Sequence, residues 1–148
     1  MTAPKTLYAE DVGHYWRTSE RHPDTWLDMA KKEIAAAGGT VLGMAMGTDE
    51  QSGRTAYMLA FTFGQDRFKA VWPALPSRSG NERAARVQAA TMLYYDVKAR
   101  CLSAKVLGTR AAFFNYLLLP DGRTTAEVAV PELSDALPRL LAGPRALS

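Results

Sequence analysis

Six basic side chains, Arg67, Lys69, Arg78, Arg83, Arg86 and Lys98, stand close enough along the chain to make one phosphate-binding surface. Lysine and arginine neutralise phosphate oxygens and release condensed counterions, so such a surface binds nucleic acid without reading its sequence and weakens steeply with salt. The six belong to residues 67–110, a segment with nine basic residues against two acidic ones, although the whole chain carries only +3. The plainer reading of the same residues is charge spread around a solvated surface. Other chemistry is harder to build. Asp24 and Asp28 lie one helical turn apart near His22, a spacing that can hold a divalent cation; acids in a helix's first turn are also favoured by its dipole alone. Cys101 falls among Val97, Leu102 and Ala104, the setting of a small core residue rather than a nucleophile. Ser77 and Ser79 lack a nearby histidine and a G-x-S-x-G frame. No glycine-rich phosphate loop follows a strand. Trp72 is placed either to stack on a base or to fill the core.

Composition narrows the class further. At 148 residues, 47% hydrophobic and 22% charged, the chain reads as one globular domain. One cysteine excludes an internal disulfide framework and a cysteine-rich zinc site, and two histidines leave little for a metal centre. The longest apolar run, Ala111 to Leu119, is interrupted by Asn115 and far too short for a membrane span. The N-terminus lacks the apolar core of a signal peptide. The expectation is a soluble, cytoplasmic, non-enzymatic protein with no cofactor and no metal.

Hydrophobic periodicity supplies the elements that must hold the basic groups. Residues 1–20 form an aromatic arm with Tyr8, Tyr15 and Trp16, placed to pack on the domain or on a neighbouring subunit. Pro23 opens a helix whose apolar positions are Trp26, Met29, Ala30, Ile34 and Ala37, and Gly38-Gly39 ends it. Three strands follow. Thr40 to Gly47 carries Leu42, Met44 and Met46 on one face. Arg54 to Phe63 and Asp66 to Trp72 are joined by the two-residue loop Gly64-Gln65. That loop sets Phe63 opposite Asp66, Phe61 opposite Phe68, Leu59 opposite Ala70 and Tyr57 opposite Trp72. One sheet face is then core; the other, with Arg54, Thr62, Arg67 and Lys69, is small, polar and basic. A slip of one residue would bury Arg67 and Lys69 among aromatics, so the register is fixed.

A long Ala-rich helix runs to Leu107, opened by the capping-box spacing Ser79-Gly80-Asn81-Glu82 and stopped by Gly108. Its apolar residues spread around much of the circumference, so either several elements cover it or a partner chain does. Beyond it, the run Phe113 to Leu119 fits strand or helix. The turn Pro120-Asp121-Gly122-Arg123 favours a hairpin with Thr124 to Val130, and Pro131 opens a short helix through Leu141. The predicted class is α+β: an antiparallel three-stranded sheet packed on a long helix. The 21–108 core is followed by a C-terminal hairpin and short helix over 109–148.

The run Asn81-Glu82-Arg83-Ala84-Ala85-Arg86-Val87-Gln88-Ala89-Ala90 resembles the signature that opens the last helix of the double-stranded-RNA-binding domain. There a cap, three basic residues and paired alanines bring a helix N-terminus onto phosphates. Arg83 and Arg86 match two of the basic positions, and Glu82 stands at the other. Element order alone is also similar to that of Rad52-type single-strand annealing proteins, an analogy at the level of fold. Both resemblances imply a nucleic-acid partner, DNA or RNA; the charge pattern and the hairpin register assign its contacts to Arg67, Lys69, Arg78, Arg83, Arg86 and Lys98. The alternative is a non-catalytic assembly protein forming a homo-oligomer through the apolar helix and the arm.

Overall fold

The computed structural model describes residues 6–16, 21–49 and 53–133. Helix α1 (Ala9–Val12) is a single turn, and α2 (Pro23–Ala36) starts at the proline. His22 caps α2, its Nδ1 accepting from the Asp24 amide at 3.2 Å. Strands β1 (Thr40–Thr48), β2 (Thr55–Phe63) and β3 (Asp66–Ala74) form an antiparallel sheet in that order. The second hairpin has the expected register, with Phe63 on Asp66, Phe61 on Phe68 and Tyr57 on Trp72. Gly64 makes it possible: its φ of +59° is the first position of a II′-type turn, whose twist suits a two-residue loop.

Strand β1 breaks the simple alternation read from the sequence. Val41 pairs with Phe61 and Gly43 with Ala60, so Leu42 is the extra residue of a β-bulge. The bulge turns Val41 onto the core face with Met44 and moves Leu42 off it. The second sheet face also departs from expectation. Arg67 is exposed there, but Ala56, Met58 and Ala60 on the same face are at most 3% exposed. That face is covered along the central strand and is not a bare polar surface.

Helix α3 (Glu82–Leu107) lies with α2 over the aromatic face. Trp26 meets Tyr94 with ring centroids 5.5 Å apart, and the Cys101 thiol donates to the Glu33 carbonyl at 3.6 Å. Both contacts advance seven residues along each helix, so α2 and α3 run parallel. The cap of α3 is Asn81, whose Oδ1 accepts from the Ala84 amide at 3.1 Å. Ser79, expected to cap, is engaged elsewhere. Asn81→Ala is expected to lower stability by about 1 kcal/mol; an unchanged urea midpoint would place the cap on another residue.

The arm packs back on its own domain. Buried Gln88 donates to the carbonyls of Ala9 and His14 at 3.0 and 2.9 Å, and Tyr15 stacks on Tyr95 at 5.2 Å. Glu10 reaches the loop before α3, accepting from Ser77 Oγ (2.8 Å), Ser79 Oγ (2.9 Å) and the amides of Arg78 and Ser79. Desolvation pushes the Glu10 carboxyl up, but the hydrogen bonds outweigh it and hold the group at about 2, against 4.5 ordinarily. A depressed carboxyl contributes stability above its unfolded pKa and loses it as pH falls through the folded one. The Ala9 amide, bonded to the Pro76 carbonyl at 2.9 Å, reports on this docking. Its NMR resonance is expected to hold steady down to pH 4.5 and to move between 4.5 and about 2. A transition centred at the ordinary carboxyl value would show that the loop does not hold Glu10.

Past Gly108, α4 (Thr109–Ala112) and a 3₁₀ turn (Phe114–Tyr116) lead to the C-terminal segment. The Pro-Asp-Gly turn forms, closed by Gly122 donating to the Leu119 carbonyl at 2.9 Å and by a single bridge between Leu118 and Thr124. The expected second arm is not a strand. Residues Thr125–Ala129 wind into α5, because Thr124 and Glu127 complete a reciprocal capping box. The helix expected from Pro131 to Leu141 lies outside the described residues beyond Leu133.

Candidate nucleic-acid interface

The six basic residues do not share one surface. Arg83 and Arg86 stand together on the opening turns of α3. They line a groove of about 360 Å³ with His22, Asp24, Met44 and Tyr57. Arg86 Nη2 lies 3.3 Å from Glu82 Oε2, whereas Arg83 is exposed and has no ion-pair partner among the described residues. Arg86 also borders a second hollow of about 480 Å³, lined by Arg54, Thr55, Ser77 and Glu82. Arg54 therefore joins this end of the molecule, a placement its position at the foot of β2 did not reveal. Burial pushes the Tyr57 hydroxyl up, with Arg86 opposing and Asp24 reinforcing the shift, so it stays protonated as a neutral wall.

Arg67 and Lys69 sit elsewhere. They project from the sheet face opposite α2 and α3, near the Gly64 turn, while α3 opens at the other end of β3. The seven steps from Arg67 to Ala74 span about 23 Å at strand rise. Lys69 is half-buried at the edge of a mostly apolar cleft of about 380 Å³, with Leu7, Val71, Met92 and Leu133. Arg78 is occupied: its Nη2 bonds both Asp11 carboxylate oxygens at 3.0 and 2.9 Å, and its guanidinium lies 4.3 Å from the Tyr8 ring centre. Lys98 is exposed on α3 beside Tyr94, 5.8 Å from its ring centre.

Folding also consumes part of the basic excess. Arg110 pairs with Asp66 at 2.8 Å, and that hydrogen bond holds the aspartate low. Arg100 bonds Asp96 and the Ala112 carbonyl, each at 3.0 Å. Tyr116 donates to the same Asp96 oxygen at 2.5 Å, with burial first and the carboxylate second driving its hydroxyl far above the usual range. These contacts tie α3 to the C-terminal segment.

The remaining chemical candidates have structural partners. Asp28 pairs with Lys31 at 3.1 Å, and His22 caps α2. Among the described residues no group of three or more His, Cys, Asp or Glu is arranged to hold a metal ion. Burial, then the Glu33 carboxylate, pushes the Cys101 thiol up to about 11, which keeps it protonated and unreactive. Trp72 is packed against the core. No described helix is long and apolar enough to cross a membrane. No family model, no curated protein and no solved structure matches the chain.

Proposed function

We propose that this protein binds nucleic acid without sequence preference, with Arg83 and Arg86 as its central phosphate ligands and Lys98 as a further contact along α3. The observation that carries the reading is the open groove at the start of α3, where two guanidinium groups flank a 26-residue helix's N-terminal end. The helix dipole adds positive potential at that end, and Arg83 is uncommitted among the described residues. Arg67 and Lys69 lie across the sheet from this groove and serve at most a separate contact. Arg78 acts through the fold, by holding Asp11.

Fluorescence anisotropy with single- and double-stranded DNA and RNA tests the proposal. Neutralising two phosphates gives a salt slope near two, so raising salt from about 50 to 200 mM should weaken binding roughly tenfold. Absence of binding to all four at the lower salt would end this reading.

A further inference from the structure

Helix α3 is covered unevenly. Its first half is enclosed on several sides by α2, the sheet and the arm, down to the stack of Tyr15 on Tyr95. From the open side of that stack onward the outer face is apolar and uncovered. Tyr95 is 41% exposed, Leu102 65% and Val106 83%, and Ala99 between them is exposed too. The positions 95, 99, 102 and 106 advance by four, three and four residues. That is the spacing of a helix–helix seam, in which apolar residues repeat every 3.5 positions. A polar solvent-facing helix has no use for it.

We propose that this face is where two copies of the chain associate, their α3 helices running antiparallel about a two-fold axis between Ala99 and Leu102. A second copy fits for two reasons. In this register Tyr95 meets Val106 of the other copy and Ala99 meets Leu102, so each large side chain lies against a smaller one. Charge gives the second reason. A hollow of about 670 Å³ flanks the seam between α2 and α3, with Glu33, Ala36, Ala37, Lys98 and Lys105 in its walls. An antiparallel pair brings like flanks together, so a flank made only of lysines would repel itself. This one carries both signs, and Lys98 comes opposite Glu33 of the other copy. A self-complementary patch is what a two-fold contact requires. The association leaves the central phosphate groove free, because Arg83 and Arg86 lie at the opposite end of α3; Lys98 alone is common to the two surfaces.

The seam spans about 17 Å of helix, which places the contact at the small end of specific interfaces. Association is therefore expected at tens to hundreds of micromolar. Sedimentation equilibrium of the full chain should show a mass rising with concentration from 16.2 kDa toward twice that value. Leu102→Lys with Val106→Lys should stay at the monomer mass throughout while keeping its circular dichroism, since both side chains are exposed. A parent that stays monomeric up to about 500 µM would overturn the proposal. So would a lysine variant that associates like the parent. Orientation is tested separately by oxidative crosslinking. Tyr95→Cys with Val106→Cys should give a covalent dimer, and Val106→Cys alone should not, because its two copies stand about 17 Å apart along the axis. Efficient crosslinking of the single variant would overturn the antiparallel arrangement.

Discussion

Phe113→Ala is expected to destabilise the protein by about 3–5 kcal/mol, a large share of the stability of a domain this size. The side chain is fully buried and touches three other phenylalanines, with ring centroids 5.2 Å from Phe61, 5.4 Å from Phe63 and 5.9 Å from Phe68. It arrives just after α4 and seals the hairpin end of the sheet, where Leu118 bonds the Arg67 carbonyl and Arg110 bonds Asp66. Truncation removes the transfer free energy of a whole ring. It also leaves a cavity whose remaining walls, two strands joined by a tight turn, cannot close on it. Phe114, next in sequence and 50% exposed, is the matched control, and its alanine variant should fall within about 0.5 kcal/mol of the parent. Urea denaturation separates the two: Phe113→Ala lowers the midpoint with an unchanged slope. A shift as small as that of Phe114→Ala would mean that the C-terminal segment is held by its ion pairs instead.

Phe113 also marks the boundary of what the sequence made legible. The Phe61–Phe68 register followed from a two-residue loop and the cost of burying Arg67, both local and strongly determined. Helices α2 and α3 were legible because their end signals, Pro23, Gly38-Gly39 and Gly108, lie within a few residues of the ends they set. The bulge at Leu42 has no such signal. An uninterrupted apolar run reads as simple alternation, and only the partner strand reveals the inserted residue. The capping box Thr124-Thr125-Ala126-Glu127 was present in the sequence, but the alternation of Thr124 to Val130 competed with it, and the cap won because it satisfies backbone donors that a lone arm would leave open. At the candidate site, Arg83 and Arg86 were legible as neighbours on one helix. The commitment of Arg78 to Asp11, and of Ser79 to Glu10, was not. Those partners are nearly seventy residues apart, and nothing in either segment's spacing announces the other.

Reversing charge at the two pairs of basic residues should give unequal results. Arg83→Glu with Arg86→Glu is expected to weaken nucleic-acid binding by more than about tenfold at low salt and to flatten the salt dependence by about two units of slope, one for each phosphate that is no longer neutralised. Arg67→Glu with Lys69→Glu is expected to leave binding within about threefold of the parent, because screening over roughly 20 Å of sheet leaves little long-range effect. Neither pair should unfold the chain. Arg83 and Arg67 are exposed, and Lys69 has no ion-pair partner among the described residues. Arg86→Glu places a like charge one turn from Glu82 and near Asp24, a cost of a few tenths of a kcal/mol. Anisotropy titrations of both variants at two salt concentrations, with melting curves to confirm folding, measure the contrast. Equal losses would mean that the ligand wraps both faces of the sheet and that the site is larger than the groove. Parental affinity in both variants, with the fold intact, would remove Arg83 and Arg86 from the interface and leave the basic residues a solvating role.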